Sequence, residues 1–269
     1  MTAAARVPSA GLAAPSRRVR ALTALKRAVG PLLANTLTGR LAGWLFRDRI
    51  PHRGLIIDTS PKMVTPGIKA ALLLRGYESG EYRFVRDYLP RDRDVIELGG
   101  SLGVISCTIR RKLDPARKLV VVEANPNLAD ALERNLALNG CATNVSVERT
   151  AIAYGGAAHI DFELGETSVS GRIAEKSSGA TISVPAMPLS VLVGRHGLDE
   201  FSLVCDIEGV EWEILREDKA ALARAATIII EAHDRAGFGG YEAFFSELAA
   251  TGLFTLAGQH GAVAVFSRA

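Results

Sequence analysis

From Pro90 onward, short apolar runs alternate with helix-like stretches, and this rhythm restricts the fold more than any other feature of the chain. The pattern predicts strands over Val95–Leu98, Lys118–Glu123, Val145–Ile152, Phe201–Ile207 and Thr227–Ala232. Helices are expected over Val104–Leu113, Asn127–Asn139, Pro188–His196, from Glu211, and over Tyr241–Thr251. The early strands are apolar at every position, which is the mark of a parallel sheet covered on both faces. Leu253–Ala257 and Ala262–Ser267 are joined by a short turn and must run antiparallel. The expected fold is therefore α/β, a doubly wound, Rossmann-like and mostly parallel sheet closed by a C-terminal antiparallel hairpin.

Two segments depart from this rhythm. A polar insertion with Gly and Ser fills about 154–180, with a short strand expected at Ser183–Ala186. At the other end, residues 1–65 read as a basic extension to a main domain of residues 66–269. Residues 1–53 carry ten Lys/Arg and one acid, a charge of +9, whereas the remaining residues carry 22 basic and 28 acidic side chains, a charge of −6. Residues 1–20 read as disordered, and helical character follows from Ala21 to Phe46, broken at Gly30-Pro31. Leu32, Leu33, Leu37, Leu41, Trp44 and Leu45 share one helical stripe. Such a stripe suits packing on the body, packing on a second copy in a homo-oligomer, or peripheral contact with a membrane surface. Ile68–Leu89 reads as one or two helices. No secretory signal is expected, and no apolar run approaches the ~20 residues that cross a bilayer. Cys107, Cys141 and Cys205 show no paired spacing, which suits a reducing cytoplasm and offers neither a disulfide framework nor a zinc site.

The first strand ends in Glu97-Leu98-Gly99-Gly100-Ser101-Leu102-Gly103, with three glycines at the usual ligand position of such a sheet. The dinucleotide pattern G-x-G-x-x-G fails here, and no P-loop is present. The spacing is E-x-G-x-x-x-G. A carboxylate before the bend would repel a pyrophosphate but suits a cationic, hydroxyl-bearing nucleoside such as S-adenosylmethionine. Glu123 ends the second strand, where an acid accepts hydrogen bonds from ribose hydroxyls. Glu97, Gly99, Gly100, Ser101, Gly103, Glu123, Ala124 and Asn125 are the candidate donor-binding residues.

Several pieces together resemble the FkbM-type S-adenosylmethionine-dependent methyltransferases. They are "YESGE" (77–81), "VIELGGSLG" (95–103), "VVVEANPNLADALERNLALNG" (120–140), "TAIA" (150–153), "VCDIEGVEWEIL" (204–215) and "IIIEAH" (228–233). The Asp-x-Glu-Gly-x-Glu run at 206–211 is the most diagnostic. The resemblance implies a seven-stranded class I methyltransferase sheet and transfer to a hydroxyl of a sugar, glycan or secondary metabolite. Family members commonly carry Asp and Ala-Asn where this chain has Glu97 and Gly100-Ser101. A Ser-Val-Ser-like element near the donor or acceptor corresponds to Ser168 and Ser170.

Asp206 and Glu208, two apart at a strand end, project to one side if the strand continues. Together with Glu231 and His233 at the end of the next strand they are the candidate catalytic residues. Asp206 serves as base or orients the acceptor, and a neutral His233 near a carboxylate can take a hydroxyl proton. Asp206, Glu208 and Glu211 are also compatible with a divalent cation, or with capping the next helix. The reading assigns no metal. The other histidines, 52, 159, 196 and 260, read as surface or loop residues. Two alternatives remain: a nucleic-acid methyltransferase using the basic arm, and a non-catalytic donor-binding protein. The first lacks a Pro-Pro element after the fourth strand and has few aromatic residues for base stacking, so the acceptor is expected to be a small molecule or glycan.

Overall fold

The computed structural model describes residues 35–164, 171–173, 181–235 and 237–269. The N-terminal 1–34 and Ser168 and Ser170 of the insertion lie outside them.

A seven-stranded sheet forms the body, built from β3 (Asp94–Leu98), β4 (Leu119–Val122), β5 (Val145–Glu148), β10 (Phe201–Cys205), β11 (Ala225–Glu231), β12 (Phe254–His260) and β13 (Val263–Arg268). Its spatial order is β12-β13-β11-β10-β3-β4-β5. The run from β11 to β5 is parallel, and β13 is antiparallel to both β11 and β12. Strand order reverses between β3 and β10, because the chain leaves β3 for β4 on one side and returns to β10 on the other. The expected fold is observed.

The apolar strands are buried on both faces because successive side chains point to opposite sides. Ile96, Leu98, Val120, Val122, Leu203, Ile228 and Ile230 join one core. They pack against α6 (Leu189–Arg195), α7 (Glu211–Glu217), the short α8 (Lys219–Leu222) and α9 (Tyr241–Ala250); the Trp212 ring of α7 and the Phe244 ring of α9 meet edge-on at 5.2 Å. Val95, Leu119, Val121, Val204 and Ile229 join the second core. It is covered by α3 (Ser79–Tyr88), α4 (Val104–Lys112) and α5 (Pro126–Leu138).

The chain before residue 66 differs from expectation. α1 (Thr36–Phe46), α2 (Pro66–Leu73) and the hairpin β1 (Arg49–His52)–β2 (Leu55–Asp58) belong to the body. Ala42, Ile50, Leu55, Ile57 and Val64 enter the second core, and Asn139 in the cap of α5 bonds both backbone groups of Ile56. A boundary at residue 65 therefore cuts through packed structure. α1 also turns the opposite way from the one its apolar stripe suggests. Gly39, Ala42 and Gly43 face inward, while Leu37, Leu41, Trp44 and Leu45 are exposed. Backbone contact decides this: a side chain on Gly39 would lie 1.7 Å from the Pro66 carbonyl oxygen. His52, read as a surface residue, is buried, with Nδ1 2.7 Å from the Leu72 carbonyl oxygen. His196 pairs with Glu148 at 2.8 Å.

The polar insertion contributes strands as well. β7 (His159–Leu164), β8 (Gly171–Ile173) and β9 (Thr181–Met187) join β6 (Ala151–Ile152) in a second sheet of order β6-β9-β7-β8. Phe162 and Val184 bury a small core of their own with Ala151. The three cysteines are free and buried.

Candidate active site

Beyond the carboxyl ends of β3, β4 and β10 lies a cavity of about 240 Å³. Its polar wall includes Tyr77, Glu78, Ser101, Glu123, Asp206 and Glu208, and its apolar wall includes Val122, Leu128, Ile152 and Phe162. Four carboxylates line it and, among the described residues, no Lys, Arg or His does. A polyphosphate would meet only repulsion there.

The bend after β3 is held by its own backbone. Gly99 and Gly100 both donate to the Val122 carbonyl, at 3.0 and 3.1 Å. Gly99 has φ +90, and a Cβ on it would lie 1.9 Å from the Asp206 carbonyl oxygen. The same addition to Gly100 would strike Leu132 at 2.2 Å and Val121 at 2.4 Å. Gly103 is the left-handed residue that opens α4. Of the three glycines only Gly99 reaches the cavity wall, so the bend is glycine-rich mainly because strand, helix and loop approach one another closely.

Of the other expected donor-site residues, Ser101, Glu123 and Ala124 line the cavity. Ser101 sits in the left-handed region at φ 46, a strained position for a residue with a side chain. Its N–H donates to Glu123 Oε2 at 2.8 Å, and its hydroxyl meets the Tyr77 hydroxyl at 3.0 Å. Asn125 lies behind the wall. Its N–H donates to Glu123 Oε1 at 2.8 Å, and its side chain caps α5. Burial raises the Glu123 pKa to about 7, against the two backbone bonds that lower it. Glu97 is not on the cavity wall. It lies beneath the bend, 2% exposed, and neither carboxyl oxygen has a hydrogen-bond partner. Burial raises its pKa to about 8, opposed by the neighbouring Ser106 hydroxyl.

All four expected catalytic residues meet at the ends of β10 and β11. The Asp206 N–H donates to the Leu98 carbonyl at 2.9 Å, which extends the ladder one residue past β10. Glu208 follows at φ 56, again left-handed. His233 Nε2 lies 3.6 Å from Asp206 Oδ1 and 3.7 Å from Glu208 Oε2. Its Nδ1 lies 3.0 Å from Oε1 of Glu211, which also accepts from the Ile207 N–H. Glu211 is buried and takes the part that orients the imidazole, leaving Nε2 toward the cavity side. Burial alone would lower the His233 pKa, but the bond and charge of Glu211, with Asp206 and Glu208, raise it to about 9. Burial and the Glu231 charge raise Asp206 to about 7, and burial raises Glu231 as well.

Sequence reasoning passed over three residues here. Tyr77 and Glu78 line the cavity, and Glu81, from the first turn of α3, lies close to Asp206 and Glu231. Burial holds the Glu78 and Glu81 pKa values well above the ordinary carboxylate range. Glu78 is left-handed at φ 45, so strained residues from three separate loops face one cavity. The available signal was the "YESGE" stretch itself, a doubled acid at a helix start.

Residues 97–261, more than half of the chain, match the methyltransferase FkbM domain. The chain belongs to the FkbM methyltransferase family. Membership makes S-adenosylmethionine-dependent methyl transfer the chemistry of this domain, and the matched span includes both the glycine bend and the Asp206–His233 cluster. Among curated proteins none matches the chain. Among solved structures, a methyltransferase from Geobacter sulfurreducens is similar at 15% identity, over 96% of this chain and 90% of that one, with a TM-score of 0.41. The O-methyltransferase TomG from Streptomyces achromogenes, involved in tomaymycin synthesis and solved with SAM, is similar at 16% identity over 71% and 79%, TM-score 0.45. A protein of the NADB-Rossmann superfamily from Streptococcus agalactiae is similar at 13% identity over 70% and 67%, TM-score 0.43.

Proposed function

We propose that this FkbM-family protein is an O-methyltransferase that moves the methyl group of S-adenosylmethionine to a hydroxyl of a small acceptor, a sugar, glycan or secondary metabolite. The observation that carries the reading is the cavity wall with four carboxylates and no basic side chain among the described residues, beside an oriented histidine. The donor brings an activated methyl on a sulfonium. Glu123 would accept from the ribose hydroxyls, since each oxygen retains a lone pair after its backbone bond. Glu78 and Asp206 face the region where positive charge is favoured. The apolar wall of Val122, Leu128 and Ile152 suits an adenine ring.

The acceptor proton is the remaining problem, because a sulfonium is already a good leaving group and a hydroxyl is a weak nucleophile. The expected neutral His233 is corrected by its surroundings: with its pKa raised to about 9 it is cationic near neutral pH and, held through Nδ1 by Glu211, orients and charges the site. Asp206, raised to about 7, is the candidate base, and Glu208 is a candidate to align the hydroxyl. Methylation of a phosphate-rich nucleic acid gains no support from an acid-lined cavity.

The experiment is calorimetry with S-adenosylhomocysteine and NAD, followed by mass spectrometry of hydroxylated acceptors incubated with isotopically labelled donor. Binding of the first nucleoside and label on oxygen are expected. Tighter binding of NAD, or label on nitrogen alone, would refute the reading.

A further inference from the structure

Glu81 has no counterpart in the donor-binding scheme. It is 5% exposed, and among the described residues no hydrogen-bond donor and no cationic side chain reaches it. A carboxyl group in such a place takes up a proton unless a positive charge answers it. Oxygens of Glu81, Asp206 and Glu231 all lie within 4.8 Å of one another. They come from α3 and from the ends of β10 and β11, so three separate elements converge on one point. Asp206 Oδ1 is itself buried without a hydrogen-bond partner.

A second group, Asp206 with Glu211 and His233, meets the same distance limit. Glu211 Oε1 is already engaged by the Ile207 N–H and His233 Nδ1, which makes it an orienting residue. In the all-oxygen set Asp206 Oδ1 meets only His233 Nε2 among the described residues, at 3.6 Å and beyond hydrogen-bond distance, and an all-carboxylate set suits hard cations that favour oxygen. We propose that Glu81, Asp206 and Glu231 bind one divalent cation of the Mg²⁺ or Mn²⁺ kind beside the donor cavity. The ion's use, lowering the pKa of an acceptor hydroxyl, rests on the function proposed above; its binding does not.

The test is titration of Mn²⁺ into chelator-stripped full-length protein, followed by electron paramagnetic resonance, with Mg²⁺ as competitor. One saturable site per chain is expected, weakened at least tenfold in Glu81→Gln and in Glu231→Gln. The melting temperature of the metal-free Glu81→Gln protein should not fall, since the amide stands in for the protonated acid. No saturable Mn²⁺ binding, or affinity unchanged in both variants, would overturn the site. S-adenosylhomocysteine titrated into the same samples separates the two ideas: nucleoside bound without Mn²⁺ removes the ion and keeps the methyltransferase.

An independent observation concerns α1. Leu37, Leu41, Trp44 and Leu45, at i, i+4, i+7 and i+8, are 77%, 59%, 77% and 61% exposed. The helix cannot roll to bury them, because Gly39 lies directly on the Pro66 carbonyl. Residues 1–47 contain eight Lys/Arg and no acid, and Arg40 on the helix and Arg47 at its C-cap are exposed. Apolar anchors with an outward Trp, set in purely basic sequence, fit the headgroup layer of an anionic bilayer. We infer that α1 docks this protein on an anionic lipid surface.

Co-sedimentation of the full chain with vesicles of phosphatidylcholine alone, or with added phosphatidylglycerol, is the test. Binding to the anionic vesicles is expected, falling with salt and at least tenfold weaker in Leu41→Ser/Trp44→Ser. That variant should melt like the parent, because both side chains are exposed. Absence of vesicle binding, or a stable dimer in light scattering that the double variant dissolves, would overturn the inference.

Discussion

The bend after β3 and the loop after β10 lie side by side, yet they meet opposite demands. In the bend, every glycine answers to the protein's own packing: Gly99 to the Asp206 carbonyl, Gly100 to Leu132 and Val121, Gly103 to the start of α4. In the loop after β10, the left-handed position is held by Glu208, whose side chain makes strain unavoidable, and Asp206 Oδ1 is buried without a donor. Packing explains the glycines of the first region, though Ser101 at φ 46 is strained there too, and leaves the second region unexplained. Strain and unanswered charge persist where something other than the chain completes the structure. The glycines of the bend are a scaffold that presents Ser101 to the cavity, and the acid cluster is where chemistry belongs.

The comparison is easiest to break at Gly99. Gly99→Val should cost stability on the order of 3 kcal/mol or more, since a left-handed φ and a backbone clash combine, and urea denaturation measures it. A variant that stays as stable as the parent and loses only donor affinity would return the bend to the ligand. Asp206→Asn is the mirror experiment. Turnover should fall by about 10²–10⁴-fold, while S-adenosylhomocysteine affinity, read by calorimetry, changes by only a few fold. Equal activity would move the chemistry elsewhere.

Glu123→Gln tests the join between the two regions. Its charge supports Ser101 and Asn125 and would face the ribose, so donor affinity should drop by about 10-fold or more. The smallest effect is expected from Glu97→Gln. The Glu97 pKa is raised to about 8 by burial, so its stabilising share is present below the ordinary carboxylate range and is lost as pH rises through 8. The slope in between is at most about 1.4 kcal/mol per pH unit. The Gln variant should flatten melting temperature against pH between about 5 and 8 and bind S-adenosylhomocysteine as the parent does. Weaker nucleoside binding would put Glu97 back among the donor contacts.

How much of this was legible follows from the physics of each element. β3, β4, β10 and β11 were readable because apolar runs bounded by turn residues admit few other placements. β1 and β2 were not, because Pro51 and alternating charge hide a hairpin whose burial depends on α5. Of the insertion strands, Ser183–Ala186 within β9 was expected, while β7 and β8 escaped, since their small core forms only when β7 and β9 pair. At the site, the pair spacing of Asp206 with Glu208 and of Glu231 with His233 was visible, but their mutual contact and the arrival of Glu81 were not.

The sequence alone determined the alternating parallel architecture, the acid-and-glycine bend and the family, because periodicity and short motifs are local properties of the chain. Tertiary structure alone decided which glycines serve packing, which way α1 faces, and that Glu81, Asp206, Glu231 and His233 share one space. Those outcomes depend on close approach between segments from about twenty to more than a hundred residues apart, and no local pattern encodes a distance of that kind.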